Sequence, residues 1–246
     1  MTHYSMKQIV ESLPPKKNSK SSFWVKLIVR KVSFLFTYIF INLGCSPWGA
    51  SMTSVFVALA GSVALCIDST VARVIGVILI EFWLVLDCVD GNIARVKKQS
   101  SEMGEFIDAL SGYYVTGFVY LAIGVAAYYT TSFSKYSLFL AILGAFSSAA
   151  GLLARLIHQK YTYTLLILER NNNDKKVLPE DEVTNKRSLQ YLRSRIDKEI
   201  SISGLFMPFL IVALVFNLFD IMTVFYFLFQ MAGLLAVTVF YSMKAR

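Results

Sequence analysis

The chain has 246 residues, of which 56% are hydrophobic and 14% aromatic, and its formal net charge at pH 7 is +8. Soluble domains are roughly 45–50% apolar, whereas several nearly uncharged runs here reach about 20 residues, the length that crosses a bilayer core; this composition excludes an ordinary soluble protein. The basic residues cluster between these runs, as is usual for loops beside a membrane, so we expect no nucleic-acid partner. The three cysteines, Cys45, Cys66 and Cys88, form no CxxC pair, so we expect neither a disulfide framework nor a zinc site.

The first 43 residues divide into a tail and an amphipathic segment. Residues 1–21 are polar and basic, which predicts a cytoplasmic tail. Residues 22–43 are apolar but carry Lys26, Arg30 and Lys31. Four polar residues at spacings of four, three and four share one helical face: Lys26, Arg30, Ser33 and Thr37. This pattern predicts an interfacial juxtamembrane helix. A tilted first span is the alternative, because an apolar run of this length is ambiguous.

Residues 44–246 are predicted to form a membrane domain, which begins at the helix-breaking Pro47. The apolar runs predict spans over 49–67, 74–95, 104–129, 136–158, 202–218 and 221–243. A charged, water-exposed loop over 159–198, with a short helix over 188–198, separates the fourth span from the fifth. The predicted fold class is therefore all-α integral membrane, with six transmembrane helices preceded by an interfacial amphipathic helix.

The distribution of Lys and Arg predicts the topology. The tail, the loops over 96–103 and 159–198, and the C-terminus are rich in basic residues, whereas the turns near 68–73, 130–135 and 218–220 hold few. Basic loops stay on the cytoplasmic side of a membrane. We therefore expect a multi-pass protein of a bacterial inner or plasma membrane, with both termini facing the cytoplasm.

Charged and small residues interrupt the apolar sequence between residues 86 and 112. Asp87 and Asp90 are three apart and share one helical face, and Asp108 shares a face of the next helix with Gly104 and Gly112. The short loop between the two helices predicts antiparallel neighbours. We therefore expect three carboxylates to converge at the cytoplasmic end of the membrane domain.

Three carboxylates in a low-dielectric site need protonation or a bound cation. Oxygen ligands favour Mg²⁺, Mn²⁺ or Ca²⁺, and Arg95 and Lys98 would add positive charge for phosphates. The pattern therefore favours metal-dependent phosphoryl chemistry. An ion or proton pathway is the alternative, because intramembrane acids also serve transporters and glycines at four-residue spacing also pack helices.

This stretch resembles the signature of the CDP-alcohol phosphotransferase (phosphatidyltransferase) family, D-x2-D-G-x2-A-R-x8-G-x3-D-x3-D. The matching residues are Asp87, Asp90, Gly91, Ala94, Arg95, Gly104 and Asp108, with every spacing correct. The resemblance continues more weakly through Ser46, Pro47 and Thr53. Such a dense motif in its expected helical setting is a specific signal.

The resemblance implies a reaction and a site. A CDP-linked donor would give its phospho-alcohol or phospho-sugar to a lipid or polyprenyl-phosphate acceptor, and CMP would leave. The implied metal, Mg²⁺ or Mn²⁺, would be held by Asp87, Asp90 and Asp108. The implied nucleotide pocket comprises Asp87, Gly91, Ala94, Arg95, Gly104 and Asp108. Family members are typically homodimers, and Lys98 and Arg155 are candidate contacts to phosphate or acceptor.

Gly112 departs from the family pattern, which has a fourth aspartate there, assigned as the base for the acceptor hydroxyl. One interpretation is an acceptor that is already ionised, such as a polyprenyl phosphate. A second is another base, for which the candidates are Glu81, Glu102, Glu105 and His158. A third is a catalytically silent member that binds nucleotide or lipid, and a fourth is an engineered substitution. An ion-coupled transporter is the alternative outside the family.

Overall fold

The computed structural model describes residues 4–14, 21–132, 134–171 and 202–244, and this part of the chain is helical and contains no strand. Its α-helices are α1 (Met6–Glu11), α2 (Arg30–Asn42), α3 (Pro47–Leu65), α4 (Thr70–Val96), α5 (Glu102–Thr130), α6 (Ser137–Asn171), α7 (Phe206–Phe216) and α8 (Phe219–Lys244). A π-helical stretch, Val25–Val29, leads into α2, and a 3₁₀ turn, Ser134–Tyr136, precedes α6. The predicted all-α class is therefore confirmed.

Serine caps begin the three helices that carry the motif and its surroundings. The hydroxyls of Ser46, Ser69 and Ser101 accept hydrogen bonds from backbone N–H groups three residues later, at 3.0, 3.5 and 3.1 Å. Such caps satisfy donors that the first helical turn leaves without partners. Pro47 follows its cap at a position where a missing N–H costs nothing. These local signals determine where α3, α4 and α5 begin.

Four described helices are long and apolar enough to cross a membrane: α3, α5, α6 and α8. Helix α4 has 27 residues but carries the acidic cluster. Helix α7 has only 11 residues, so at 1.5 Å per residue it is about 17 Å long, shorter than a bilayer core. A membrane protein with four candidate spans is therefore supported, and the number six stays a prediction.

Two predicted boundaries differ from the structure. Helix α6 continues to Asn171, so the expected loop over 159–198 does not begin at residue 159; the rest of that loop, including the predicted helix over 188–198, lies outside the described residues. The expected tail contains α1, whose Ile9 is fully buried. The amide of Asn42 binds both backbone groups of Tyr4, at 2.9 and 3.2 Å, which holds this segment against α2.

The polar face of α2 is turned toward the protein. Ser33 and Thr37 are fully buried and Arg30 is only 7% exposed. A helix lying at the membrane interface would instead present this face to water and lipid headgroups. The reason is a polar partner on α4: the Asn92 amide donates to Thr37 Oγ1 at 3.0 Å and to Ser33 Oγ at 3.4 Å. The helix is therefore packed through its polar face.

The prediction that α4 and α5 pack as antiparallel neighbours is wrong for most of their length. Helix α3 packs extensively against α4 and also against α5, while α4 and α5 touch at few points. Small buried residues on α3 permit this close packing: Ala50, Ser51, Ser54, Ala58, Gly61 and Ser62. Trp83 of α4 still donates to Ser111 of α5 at 2.8 Å. The two helices therefore separate toward the motif and leave space between them.

Helices α5 and α6 cross at a pair of glycines. A Cβ built on Gly144 would lie 2.7 Å from the Tyr120 carbonyl oxygen and 2.8 Å from Gly124 Cα. Both obstructing atoms belong to the backbone, so a side chain at either glycine would push the helices apart. Close backbone approach through small residues is a common basis of helix packing in membranes.

We expect Gly144→Ala to lower the free energy of unfolding by about 1–3 kcal/mol, because overpacking forces backbone shifts. Denaturant titration of the purified protein in detergent micelles would measure this loss. Gly233→Ala on α8 is the matched control, since a Cβ there meets nothing within 4 Å. Equal stability of the two variants would contradict the close crossing.

Candidate functional site

A cavity of about 980 Å³ lies where α4 and α5 diverge. Its wall is formed by the segment before α2, the start of α3, the second half of α4 and the first turns of α5, and includes Arg30, Ser51 and Ser203. Ligand pockets in proteins usually measure about 300–1,000 Å³. The cavity is therefore large enough for a nucleotide-sized ligand.

The three motif aspartates line this cavity. Asp90 is 4% exposed, and its carboxylate accepts hydrogen bonds from Ser51 Oγ of α3 and from the Gly91 backbone N–H, both at 2.5 Å. Asp87 is half-buried, and Asp108 on α5 is exposed. The carboxylates thus face one space from two helices, as the motif spacing predicts.

The three carboxylates form a candidate donor set for a divalent cation. Carboxylate oxygens are the ligand type that Mg²⁺ and Mn²⁺ prefer, so the chemistry of the three side chains fits. Among the described residues, however, no group of three His, Cys, Asp or Glu side chains is close enough to hold one ion. The three carboxylates therefore line one cavity but do not converge on one point as expected, because α3 packs between α4 and α5.

Arg95 is connected to α2 through a chain of buried polar side chains. Its Nη2 donates to Asn92 Oδ1 at 2.5 Å, and Asn92 in turn binds Ser33 and Thr37. Asn92 is fully buried, and both of its side-chain groups have partners. This chain orients the Arg95 guanidinium, which borders the cavity together with Arg30.

The small motif residues also border the cavity, and the base candidates mostly do not. Gly91, Ala94 and Gly104 line it, as does Glu105. The other candidates are not part of the wall that the described residues form: Glu81, Lys98, Glu102, Gly112, Arg155 and His158. Of the four alternative bases, Glu105 is therefore the one that faces the cavity.

Two of the remaining candidates have partners elsewhere. Trp24 Nε1 donates to Glu81 Oε2 at 3.1 Å, which ties this acid to the segment before α2. The His158 ring is hydrogen-bonded to the Tyr241 hydroxyl of α8. Neither side chain is part of the cavity wall that the described residues form.

The space beside Gly112 is occupied by a cation. A Cβ built on Gly112 would lie 3.3 Å from Arg155 Nη1 of α6. The same guanidinium lies over the Tyr113 ring, 5.4 Å from its centroid, a distance typical of cation–π contacts. Gly112 lies one helical turn beyond Asp108, so a positive group stands one turn beyond the motif carboxylate of α5.

Sequence reasoning missed Ser51 and Asn92, which orient the charged groups. Ser51 binds Asp90 from a different helix, and Asn92 occupies a variable position of the motif. The available signal was weak: each is a polar residue in an otherwise apolar stretch, and buried polar side chains need partners. Arg30 was predicted to share a helical face with Ser33 and Thr37, but its place at the cavity was not.

Comparison with known families identifies this region. A family model described as CDP-alcohol phosphatidyltransferase matches residues 47–170, half of the chain, from the start of α3 almost to the end of α6. The matched range contains the seven matching motif residues and Gly112. No curated protein gives a significant match to the chain.

We expect Ser51→Ala to lower the apparent melting temperature, because the buried Asp90 carboxylate loses a hydrogen-bond donor. Such a loss lowers the free energy of unfolding by about 1–3 kcal/mol. Differential scanning fluorimetry of the detergent-purified protein would measure it. Thr53→Ala is the control, since the exposed Thr53 hydroxyl binds only its own helix, at Gly49 O. A melting temperature unchanged in both variants would contradict the role of Ser51.

Proposed function

The chain belongs to the CDP-alcohol phosphatidyltransferase family, and from this premise we propose that it transfers a phospho-alcohol or phospho-sugar from a CDP-linked donor to a lipid or lipid-phosphate acceptor and releases CMP. The observation that carries the proposal is the cavity, which all seven matching motif residues line: Asp87, Asp90, Gly91, Ala94, Arg95, Gly104 and Asp108. Its carboxylates and guanidiniums suit a ligand that contains phosphates and a cation.

The proposed chemistry is a displacement at phosphorus. An acceptor oxygen attacks the donor phosphorus that bears the alcohol, the bond to the bridging oxygen breaks, and that oxygen leaves with CMP. Such reactions depend mainly on positioning and on stabilising charge. Arg95, oriented by Asn92, would bind the departing phosphate, and Gly91 and Gly104 would let the nucleotide approach the backbone.

The proposal includes a divalent metal. Asp87, Asp90 and Asp108 would hold Mg²⁺ or Mn²⁺, which neutralises phosphate charge when bound. The type of donor atom supports this assignment. The described arrangement does not gather the three carboxylates around one point, so the proposal requires that donor and metal bind together.

The acceptor follows from the groups around Gly112. A hydroxyl acceptor must lose a proton, and a base typically accelerates that step by about 10²–10⁴-fold. A phosphate monoester has a second pKa of about 6 and is ionised at neutral pH, so it needs no base. The Arg155 guanidinium beside Gly112 favours an anion over a hydroxyl. We therefore propose a polyprenyl phosphate or a similar lipid phosphate, which would give a lipid-linked pyrophosphate.

The remaining parts of the proposal concern the setting. We propose a homodimer in a bacterial inner membrane, with the cavity and both termini facing the cytoplasm. The basic loops support this orientation, and family membership supports the homodimer. Cross-linking in membranes and protease accessibility of tagged termini would test these two parts separately.

We expect the purified protein to release CMP from a CDP-linked donor only when Mg²⁺ or Mn²⁺ is present. Asp87→Asn should lower the rate about a hundredfold or more, because the carboxylate charge stabilises the bound cation. Asp68→Asn is the control, since the exposed Asp68 side chain pairs with Arg73 and neither residue lines the cavity. Binding of CDP without turnover of any donor would favour the catalytically silent alternative.

We expect Arg155→Gln to lower CMP release with decaprenyl phosphate about tenfold or more, since hydrogen bonds to charged groups contribute about 1.5–3 kcal/mol. Gly112→Asp should also lower it, because the new carboxylate would face Arg155. Chromatographic assay of CMP with decaprenyl phosphate and with decaprenol would measure both effects.

Lys160→Gln is the matched control for Arg155→Gln, because Lys160 lies on the same helix and its ammonium group contacts the face of a tyrosine ring, that of Tyr163. Faster turnover of decaprenol than of decaprenyl phosphate by the unmodified chain would contradict the proposed acceptor.

A further inference from the structure

Two guanidinium groups border the same part of the cavity. Arg30 projects from α2, and Arg95 projects from the end of α4. The two are close enough for their charges to repel each other. Arg30 is 7% exposed, so water screens its charge poorly. Arg30 also precedes the range matched by the family model, residues 47–170.

Neither guanidinium is fully satisfied by the described protein. Arg30 Nη2 donates to Ser21 Oγ at 2.9 Å, and Arg95 Nη2 donates to Asn92 Oδ1 at 2.5 Å. The Nε–H groups of both are buried and have no hydrogen-bond partner. Asp90 attracts Arg95 from a distance, but within the described chain neither arginine forms an ion pair. Each planar guanidinium presents five N–H donors, so several are available to a ligand.

A purely structural role explains these observations less well. A buried arginine that serves packing is usually paired with a carboxylate or with carbonyl groups, because an uncompensated buried charge costs several kcal/mol. Here two like charges approach each other at the wall of a cavity. An anion bound between them would supply the missing hydrogen bonds and offset the repulsion, and phosphate suits the planar guanidinium geometry.

We propose that Arg30 and Arg95 form an anion site that binds a phosphate group of a substrate, with Arg30 supplied by helix α2. The inference rests on the proposed function for the presence of phosphate-bearing substrates. The phosphate belongs either to the diphosphate of the donor or to a lipid phosphate acceptor. Helix α2 would then act as part of the binding site, and its polar seam with Asn92 would hold Arg30 in position.

The test compares Arg30→Gln with Lys31→Gln in the full-length protein. Lys31 is the next residue on α2 and is exposed, so the control removes the same charge outside the cavity. Calorimetry with Mg²⁺ would measure binding of CDP and of cytidine, and native mass spectrometry would measure binding of decaprenyl phosphate and of decaprenol. Arg30→Lys keeps the charge but lacks Nε–H, and it replaces Arg30→Gln if that variant does not fold.

We expect the Arg30 variant to bind one phosphate-bearing probe about tenfold or more weakly, with cytidine and decaprenol unchanged. A selective loss of CDP assigns the site to the donor, and a selective loss of decaprenyl phosphate assigns it to the acceptor. Equal affinities of the Arg30 and Lys31 variants for CDP and for decaprenyl phosphate overturn the anion site but leave the proposed function standing. If the unmodified protein binds neither CDP nor decaprenyl phosphate, the proposed function fails together with it.

Discussion

Polar side chains enclosed by apolar helices must find hydrogen-bond partners within the protein, and this requirement organises the described structure around Asn92. Its amide joins Ser33 and Thr37 of α2 to Arg95 of α4. Without these contacts the polar face of α2 would have to remain in water or among headgroups. The seam therefore brings helix α2 against the membrane domain and places Arg30 at the cavity.

The same helix that stabilises the bundle also creates the space for a ligand. Helix α3 uses alanine, serine and glycine to pack against α4 and α5 together, and it sends Ser51 to the buried carboxylate of Asp90. Since α3 occupies the region between them, α4 and α5 diverge toward the motif. The acids are therefore arranged around a cavity, where a phosphate-bearing ligand and a cation can balance their charge.

The charge distribution connects the departure at Gly112 with the proposed acceptor. The cavity combines three carboxylates with Arg30 and Arg95, while Arg155 stands beside Gly112. The guanidinium beside Gly112 favours an acceptor that brings negative charge of its own, because it attracts an anion and cannot accept a proton from a hydroxyl. An already ionised acceptor makes the proposed transfer consistent with a glycine, rather than a proton-accepting side chain, at residue 112.

The sequence by itself determined the helical membrane class and the expectation that Asp87, Asp90 and Asp108 face a common space from two helices. These features follow from apolar run length and helical periodicity, which act over a few residues. Only the tertiary structure decided the inward polar face of α2, the separation of α4 from α5, and the partners of Asp90 and Gly112. Those outcomes depend on how the helices are arranged around one another. Residues far apart in the chain, such as Gly112 and Arg155, come into contact only when their helices pack together.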